Sequence, residues 1–388
     1  MTEYSLSICV PSKRNLLDSK SSISSAIGFC DSTGSQLVIS DNSGNKDKSE
    51  MWNNIPLPFM KYLNNENKNN SNWSDNWYNG IKNCSGKFIG VVSDDDILVN
   101  IGNSSLDYKD INQDDIIGIK PIISLWNSHA GLYKQNNFNI DAETAIDRIR
   151  QYYSLANGNN TTYFSFFRNK IINDIYRLLK HHPTKGGYID WSIVLSCVAS
   201  GKILMDQSKQ LIYKNTNWFG DHNKINNQIK KLYLDCGLGE NGIAISGILD
   251  ALDGFILIMR KSSNIQIDEK IEAAELVLNS NIQKFLNNYN SGIYEKVFSI
   301  NSVKQIKELN IENNIEEKLN SCLQIIVSIY PFLEEKYKEQ DKKEEKKQTD
   351  LSKKESSKLP EPTGWRLLVL PFKMKERTKG GLYLGQET

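Results

Sequence analysis

Three adjacent aspartates, Asp94, Asp95 and Asp96, follow the apolar run Phe88–Val92 after the single residue Ser93. A short run of this kind, rich in β-branched residues, reads as a buried strand. The carboxylates therefore stand at a strand end. Three neighbouring negative charges repel each other, and the arrangement makes sense if a hard divalent cation sits among their oxygens. Such a cation, Mn²⁺ or Mg²⁺, also binds phosphate oxygens, so the same place can hold a nucleotide diphosphate. In open α/β sheets ligands gather at the carboxyl ends of strands. The plain alternative is a solvated acidic turn.

The segments around this run alternate in period. Ser5–Val10, Gln36–Ser40, Phe59–Leu63, Asp115–Ile119 and Thr161–Phe167 are strand-like, while Ser19–Phe29 and Asn76–Cys84 carry helical spacing. Strands alternating with helices predict βα units and a mostly parallel sheet covered on both faces. Asparagine supplies eight of the 16 residues from Asn64 to Asn79, which reads as a polar loop. After about Trp218 helical patterns follow one another: Ile225–Leu234, Ile243–Met259, Asp268–Asn288 and Ile315–Lys336.

Composition excludes several classes. With 388 residues the chain exceeds one typical domain. Lys and Arg number 47 against 46 Asp and Glu, so a protein that grips nucleic-acid backbones is not expected. Cys9, Cys30, Cys84, Cys197, Cys236 and Cys322 are scattered without a Cys-x-x-Cys pair, which predicts free thiols in a reducing, cytoplasmic setting. Residues 1–7 lack the charged and apolar regions of a signal peptide. Ile243–Met259 is interrupted by Asp250 and Asp253 and falls short of the roughly 20 apolar residues that span a bilayer, so no transmembrane segment is expected.

Read in order, Ser7-Ile-Cys-Val-Pro11-Ser, Leu37-Val-Ile-Ser-Asp41-Asn-Ser43 and the stretch from Asn76 through Gly86-Lys87 to Asp96 resemble the family 2 glycosyltransferases of the GT-A fold. The resemblance covers about residues 4–218. It implies a sugar-nucleotide donor, usually uridine diphosphate-linked, and a divalent metal at an Asp-x-Asp motif. On this resemblance Pro11, Asp41, Asn76, Asp94 and Asp95 contact the donor, and Asp94 and Asp96 meet the metal. Members reading Asp-x-Asp-Asp instead place Ser93 at the first carboxylate and Asp95 on the metal. Tyr78 stands where many members have Asn, and Lys87 reads as a surface residue.

Gly186-Gly187-Tyr188-Ile189-Asp190-Trp191, followed by an apolar helix and Gly201-Lys202-Ile203-Leu204, resembles the acceptor-side motif of that family. There the carboxylate of inverting members is the general base. An acceptor hydroxyl must lose its proton as it attacks the anomeric carbon, and Asp190 is the candidate to take it, while a metal offsets charge on the leaving diphosphate. Asp190 also suits a helix N-cap. The aromatics of Thr161–Arg168 suit either a sugar platform or, preferably, a half-buried core strand. His181 and His182 precede Pro183 in an expected loop. His222 is a lone candidate metal ligand that reads better as structural or exposed.

Two further motifs were weighed. Gly237-Leu-Gly239-Glu-Asn-Gly242 matches a dinucleotide-binding glycine pattern but lacks the strands that pattern needs, and predicts a helix–glycine turn–helix. Pro362–Leu384 resembles the start of a GroES-type co-chaperonin, particularly phage versions, whose mobile loop binds the chaperonin; an isolated strand pair cannot close that barrel.

The expected organisation is a GT-A-like α/β domain over residues 1–220, an α-helical region over 221–340, a charged linker over 341–358 and a truncated β segment over 359–388. The expected activity is metal-dependent, inverting transfer of a hexosyl or related sugar to a carbohydrate or other hydroxyl acceptor, as in polysaccharide biosynthesis. A non-catalytic binding or co-chaperonin-like protein is the alternative.

Overall fold

A computed structural model describes residues 4–65, 72–111 and 114–334. They fall into two units, one ending at Tyr294 and the other opening at Glu295. The first contains β1 (Leu6–Ser12), α1 (Leu16–Thr33), β2 (Gln36–Asp41), α2 (Lys46–Asn53), β3 (Met60–Asn64), α3 (Trp73–Ile81), β4 (Phe88–Val91) and β5 (Ile97–Asn100). It continues with β6 (Ile116–Asn127), β7 (Gly131–Asn136), α4 (Ala145–Ala156), β8 (Phe166–Arg168), α5 (Asn169–Leu179), α6 (Asp190–Ser200), β9 (Lys202–Lys214), α7 (His222–Leu234), α8 (Ser246–Ile258) and α9 (Ile267–Asn290). The second unit contains α10 (Ile300–Glu308) and α11 (Ile315–Ile329), joined by a hydrogen bond from Ser328 Oγ to Ser302 Oγ at 2.9 Å.

One sheet runs in the order β3-β2-β1-β4-β8-β6-β9-β5, with β7 on β6. Every residue of β1 is buried, as a near-continuous apolar strand with neighbours on both sides should be. Strands β3, β2, β1 and β4 are parallel, so their carboxyl ends share one edge. Pro11, Asp41 and the Asp94–Asp96 run reach that edge together. Beyond β4 the sheet is mixed: β8 is antiparallel to β4 and β6, while β9 runs parallel to β6 and antiparallel to β5. The α/β class with flanking helices expected from the sequence is present, and helices follow the sheet.

Helix α1 begins at Asn15, whose side chain accepts from Asp18 N, and stops at Gly34 with φ +62°, a left-handed turn that glycine makes without penalty. Its residues Ser19, Ser22, Ile23, Ala26, Phe29 and Cys30 form the buried face at helical spacing. Helix α6 is buried from Ser192 through Ser200. Its last carbonyls are clamped by two buried arginines. Arg148 donates to Val198 and Ala199, and Arg260 donates to Ser196. Cations at a helix carboxyl end satisfy orphan carbonyls and oppose the negative end of the dipole. Helix α8 packs on α6 and α9. A Cβ at Gly254 would lie 2.6 Å from Val277 Cγ1, so the close approach of α8 to α9 requires glycine there.

One expectation changes. Thr161–Phe164 is a short 3₁₀ turn and only Phe166–Arg168 pairs as strand. The first unit takes in α7, α8 and α9 as well as the sheet, with α8 packed on α6. The helical stretch Glu240–Ile258 is, at 19 residues, long and apolar enough to cross a membrane by length and composition, and its most apolar 18-residue window is 78% buried inside the fold. The Gly237–Gly242 segment is the expected glycine turn between helices, with φ +85° at Gly237 and +68° at Gly239. All six cysteines are free. The expected linker over 341–358 and the co-chaperonin-like segment over 359–388 lie outside the described residues.

Candidate active site

The turn that joins β4 to β5 carries the three aspartates, and each has a different environment. Asp94 faces the loop after β1. Its Oδ2 accepts from Ser12 Oγ at 2.6 Å and from the backbone N–H groups of Lys13 and Arg14 at 3.0 Å each, while Oδ1 pairs with the Arg14 guanidinium. Burial alone would push this carboxyl up, but the Ser12, Arg14 and Lys13 donors outweigh it and hold it below the usual range. Asp95 is the most accessible of the three, with a side chain 19% exposed, and accepts from Arg14 at 2.7 Å. Burial raises its carboxyl, opposed by Arg14 and Lys214. Asp96 is fully buried. Its Oδ1 accepts from the backbone N–H of Lys214 at 2.9 Å, and its Oδ2 has no hydrogen-bond partner. Burial, then the charge of Asp95, pushes Asp96 up to about 8.

An orphaned, buried carboxylate oxygen on Asp96 and an accessible carboxylate on Asp95 fit a hard divalent cation. Asp94, expected on the metal with Asp96, has both oxygens engaged by Ser12, Lys13 and Arg14. Among the described residues no three His, Cys, Asp or Glu side chains converge on a possible metal position. Two carboxylate ligands are what Mg²⁺-type ions accept when substrate phosphate and water complete the shell.

The other donor-side expectations land on the same sheet edge but with inward-turned polar groups. Asp41 is 2% exposed. Its Oδ1 accepts from Lys48 Nζ at 3.0 Å and Ser43 N at 2.9 Å, and its Oδ2 from Tyr62. A carboxylate so enclosed, with both oxygens engaged, anchors the edge. Asn76 accepts from Ser40 Oγ at 2.8 Å and donates to Ser12 O at 3.4 Å, bracing β2 against β1. Pro11 is buried beside Ser40. Ser93 contributes its carbonyl, which accepts from Ser22 Oγ of α1. The Tyr78 ring lies under Lys180 Nζ at 4.3 Å, and Lys87 Nζ donates to Lys109 O, so both belong to the surface.

Asp190 is the first residue of α6. Ile189 precedes it as the cap residue and no side chain caps the helix, so the N-cap role is not the one Asp190 plays. Its Oδ2 accepts from Asn160 Nδ2 at 2.9 Å. Burial pushes its carboxyl up to about 6, against the Asn160 hydrogen bond. A carboxylate in that range exchanges protons near neutral pH.

The two sides meet at Tyr213. Pairing of β9 with β5 sets Ile212 opposite Ile97 and so carries Tyr213 and Lys214 beside the aspartate turn. Burial and then the negative fields of Asp96, Asp95 and Asp190 raise the Tyr213 phenol well above its ordinary value. Phe164 packs on its ring at 4.8 Å. Phe166 and Phe167, by contrast, are core residues. Asp190 also lies within the electrostatic reach of Tyr152, Tyr163, Tyr233 and Asp250.

His182, expected in a loop, is buried. Two backbone N–H groups, of Thr184 and Lys185, donate to its Nδ1, so Nε2 carries the proton toward Asp253 at 2.9 Å. His222 is the exposed first residue of α7. Arg14, Asn160, Tyr213 and Lys214 were not found from the sequence. Arg14 carried a weak signal, a basic pair following the first strand; the others stand in no motif.

No protein-family profile and no curated protein matches this chain. Among solved structures it is similar to residues 1–349 of TarS from S. aureus, at 13% identity over 84% of this chain and 82% of that one, with a TM-score of 0.41. The same fragment solved in complex with UDP-GlcNAc gives 14% identity, the same coverage and a TM-score of 0.41. Its complex with UDP gives 13% and 0.40. At that level of likeness neither activity nor substrate carries over.

Proposed function

We propose that this chain transfers a sugar from a nucleotide-diphosphate sugar to a hydroxyl acceptor, with inversion at the anomeric carbon. One observation carries the reading. Lys214, which donates its backbone N–H to Asp96, sets its neighbour Tyr213 beside the aspartate turn, and Phe164 packs on the Tyr213 ring four residues after Asn160, which holds Asp190. A donor diphosphate at the β4–β5 turn would meet the guanidinium of Arg14, which is 42% exposed, and the exposed Lys214. A sugar extending from it toward Tyr213 would present its anomeric carbon to an acceptor held against Asp190.

In that arrangement Asp190 takes the acceptor hydroxyl proton as the acceptor oxygen bonds to the anomeric carbon. The bond from that carbon to the diphosphate oxygen breaks, and the nucleotide diphosphate leaves with its electron pair. Arg14 and Lys214 face the charge that develops on the leaving group. A divalent cation held by Asp95 and Asp96 would act there as a Lewis acid. Sugar class and uridine preference rest on the sequence resemblance alone.

A thermal-shift series with uridine and guanosine diphosphate sugars, each with and without Mn²⁺, tests the reading. A ligand that binds the folded state raises the melting temperature by mass action. At least one donor should stabilise the chain in Mn²⁺ and support transfer that Asp190→Ala abolishes without loss of the shift. No shift with any donor would overturn it.

A further inference from the structure

We infer that Asn160 is a positioning residue for Asp190, held in register by the hydroxyl of Tyr152. The inference rests on the proposed role of Asp190 as base. Tyr152 is fully buried, and its hydroxyl donates to Asn160 Oδ1; Asn160 Nδ2 in turn donates to Asp190 Oδ2 at 2.9 Å. The order of donors is forced by chemistry. An ionised carboxylate only accepts, so the amide must turn its NH₂ toward Asp190, which leaves its carbonyl for the one partner that can donate.

The backbone is shaped for this contact. Helix α4 ends in two successive left-handed residues, Asn157 with φ +44° and Gly158 with φ +74°. The chain reverses there and returns Asn160 to the first turn of α6, 30 positions ahead in sequence. A non-glycine residue in that region is uncommon and asparagine is among the few that tolerate it. The clamp by Arg148 and Arg260 at the far end of α6 secures the helix, and Asn160 sets the carboxylate at its start. A merely structural asparagine would bridge backbone groups; this amide spends its donor on a titratable side chain.

Hydrogen bonding to the charged form favours that form, so Asn160 counters the burial of Asp190. The groups that face Asp190 from the surrounding elements are Tyr152 on α4, Tyr163 in the turn before β8, Tyr213 on β9, Tyr233 on α7 and Asp250 on α8. The phenols are neutral at working pH, so Asp250 is the remaining group whose ionisation adds to that of Asp190.

The test follows the Asp190 carboxyl directly, by ¹³C NMR of the full chain carrying aspartate labelled at the carboxyl carbon. Its resonance is assigned by its absence in Asp190→Asn. Asn160→Ala should raise its midpoint by about one pH unit, since a hydrogen bond to a charged group and a unit of pKa are of similar size. Asn160→Asp should raise it further by placing a second charge beside it, and Tyr152→Phe should raise it less, by loosening the amide. Sugar transfer in Asn160→Ala should fall about tenfold at pH 5, where one pH unit is tenfold in ionised base, and far less at pH 8. Should the alanine variant not fold, the aspartate and phenylalanine variants give the same reading. Midpoints unmoved in folded variants would overturn the inference. Full transfer by Asp190→Asn would instead overturn the base assignment and leave the hydrogen-bond chain standing.

Discussion

The backbone N–H of Lys214 donates to Asp96 Oδ1 at 2.9 Å, across 118 positions of sequence, and Asp96 Oδ2 is left without a partner. The first half of that arrangement holds β9 against the aspartate turn, and the second half leaves an oxygen where the proposed cation would bind. Asp96→Ala should therefore weaken donor binding at least tenfold in Mn²⁺ and have little effect on the weaker binding in chelator. Calorimetric titration of the full chain with the donor found by thermal shift checks this. Equal weakening in chelator would remove the metal from the account.

Asp94 and Asp95 are neighbours with opposite expected phenotypes. Asp94 accepts three hydrogen bonds that close the β1–α1 loop, in addition to its Arg14 pair. Asp94→Ala should cost about 2–4 kcal/mol of stability, because donors to a charged partner are left buried and unmet. Asp95, more exposed, should change stability by less than about 1 kcal/mol on conversion to alanine, while donor affinity falls. Urea melts of the two variants side by side decide it; equal destabilisation would contradict the division of roles.

Lys48 is fully buried and its ammonium is shared among Ser12 Oγ at 2.5 Å, Arg14 O at 2.9 Å and Asp41 Oδ1 at 3.0 Å. Removing one member of a buried pair strands the other charge. Lys48→Met should destabilise by about 3–5 kcal/mol, and Lys48→Met with Asp41→Asn should recover part of that loss. A double-mutant cycle read from denaturant melts measures the coupling, and additive losses would contradict it.

Asp190 should set an acid limb in the pH profile of sugar transfer, with activity rising as pH passes through about 6. The same shift bears on stability. Unfolded, this carboxyl releases its proton near 3.8, and folded it holds the proton to about 6. The folded state binds more protons between those values, so stability falls as pH rises through them and the cost is complete above the folded value. Asp190→Asn should therefore stabilise the chain by about 1–3 kcal/mol at pH 8 and not at pH 3. Thermal melts at the two pH values test the sign.

Local pattern revealed the strands β1, β2, β3 and β4, the helices α1 and α7 to α9, and the glycine turn before α8, because burial and period are written residue by residue along the chain. It misread Thr161–Phe164 as strand: aromatic residues satisfy a strand pattern, yet this stretch forms a 3₁₀ turn in which Tyr163 hydrogen-bonds Tyr176 and Phe164 packs on Tyr213, while Phe166 and Phe167 enter the core. The aspartate triplet was visible as chemistry because adjacent like charges at a strand end repel unless offset, and Asp190 because its flanking residues resemble an acceptor-side motif.

Sequence alone thus settled the α/β alternation and the places where charge concentrates. Which carboxylate is available was decided by tertiary structure. Asp94 is consumed by a loop 80 residues earlier and Asp41 by a lysine and a tyrosine from separate elements, so neither offers a free oxygen. Tyr213, Lys214 and Asn160 reached the cleft only through the antiparallel pairing of β9 with β5 and the left-handed reversal after α4. Hydrogen bonds and fields act over a few ångströms in space, whatever the distance along the chain, so a residue's neighbours in sequence say little about which of its lone pairs remains open.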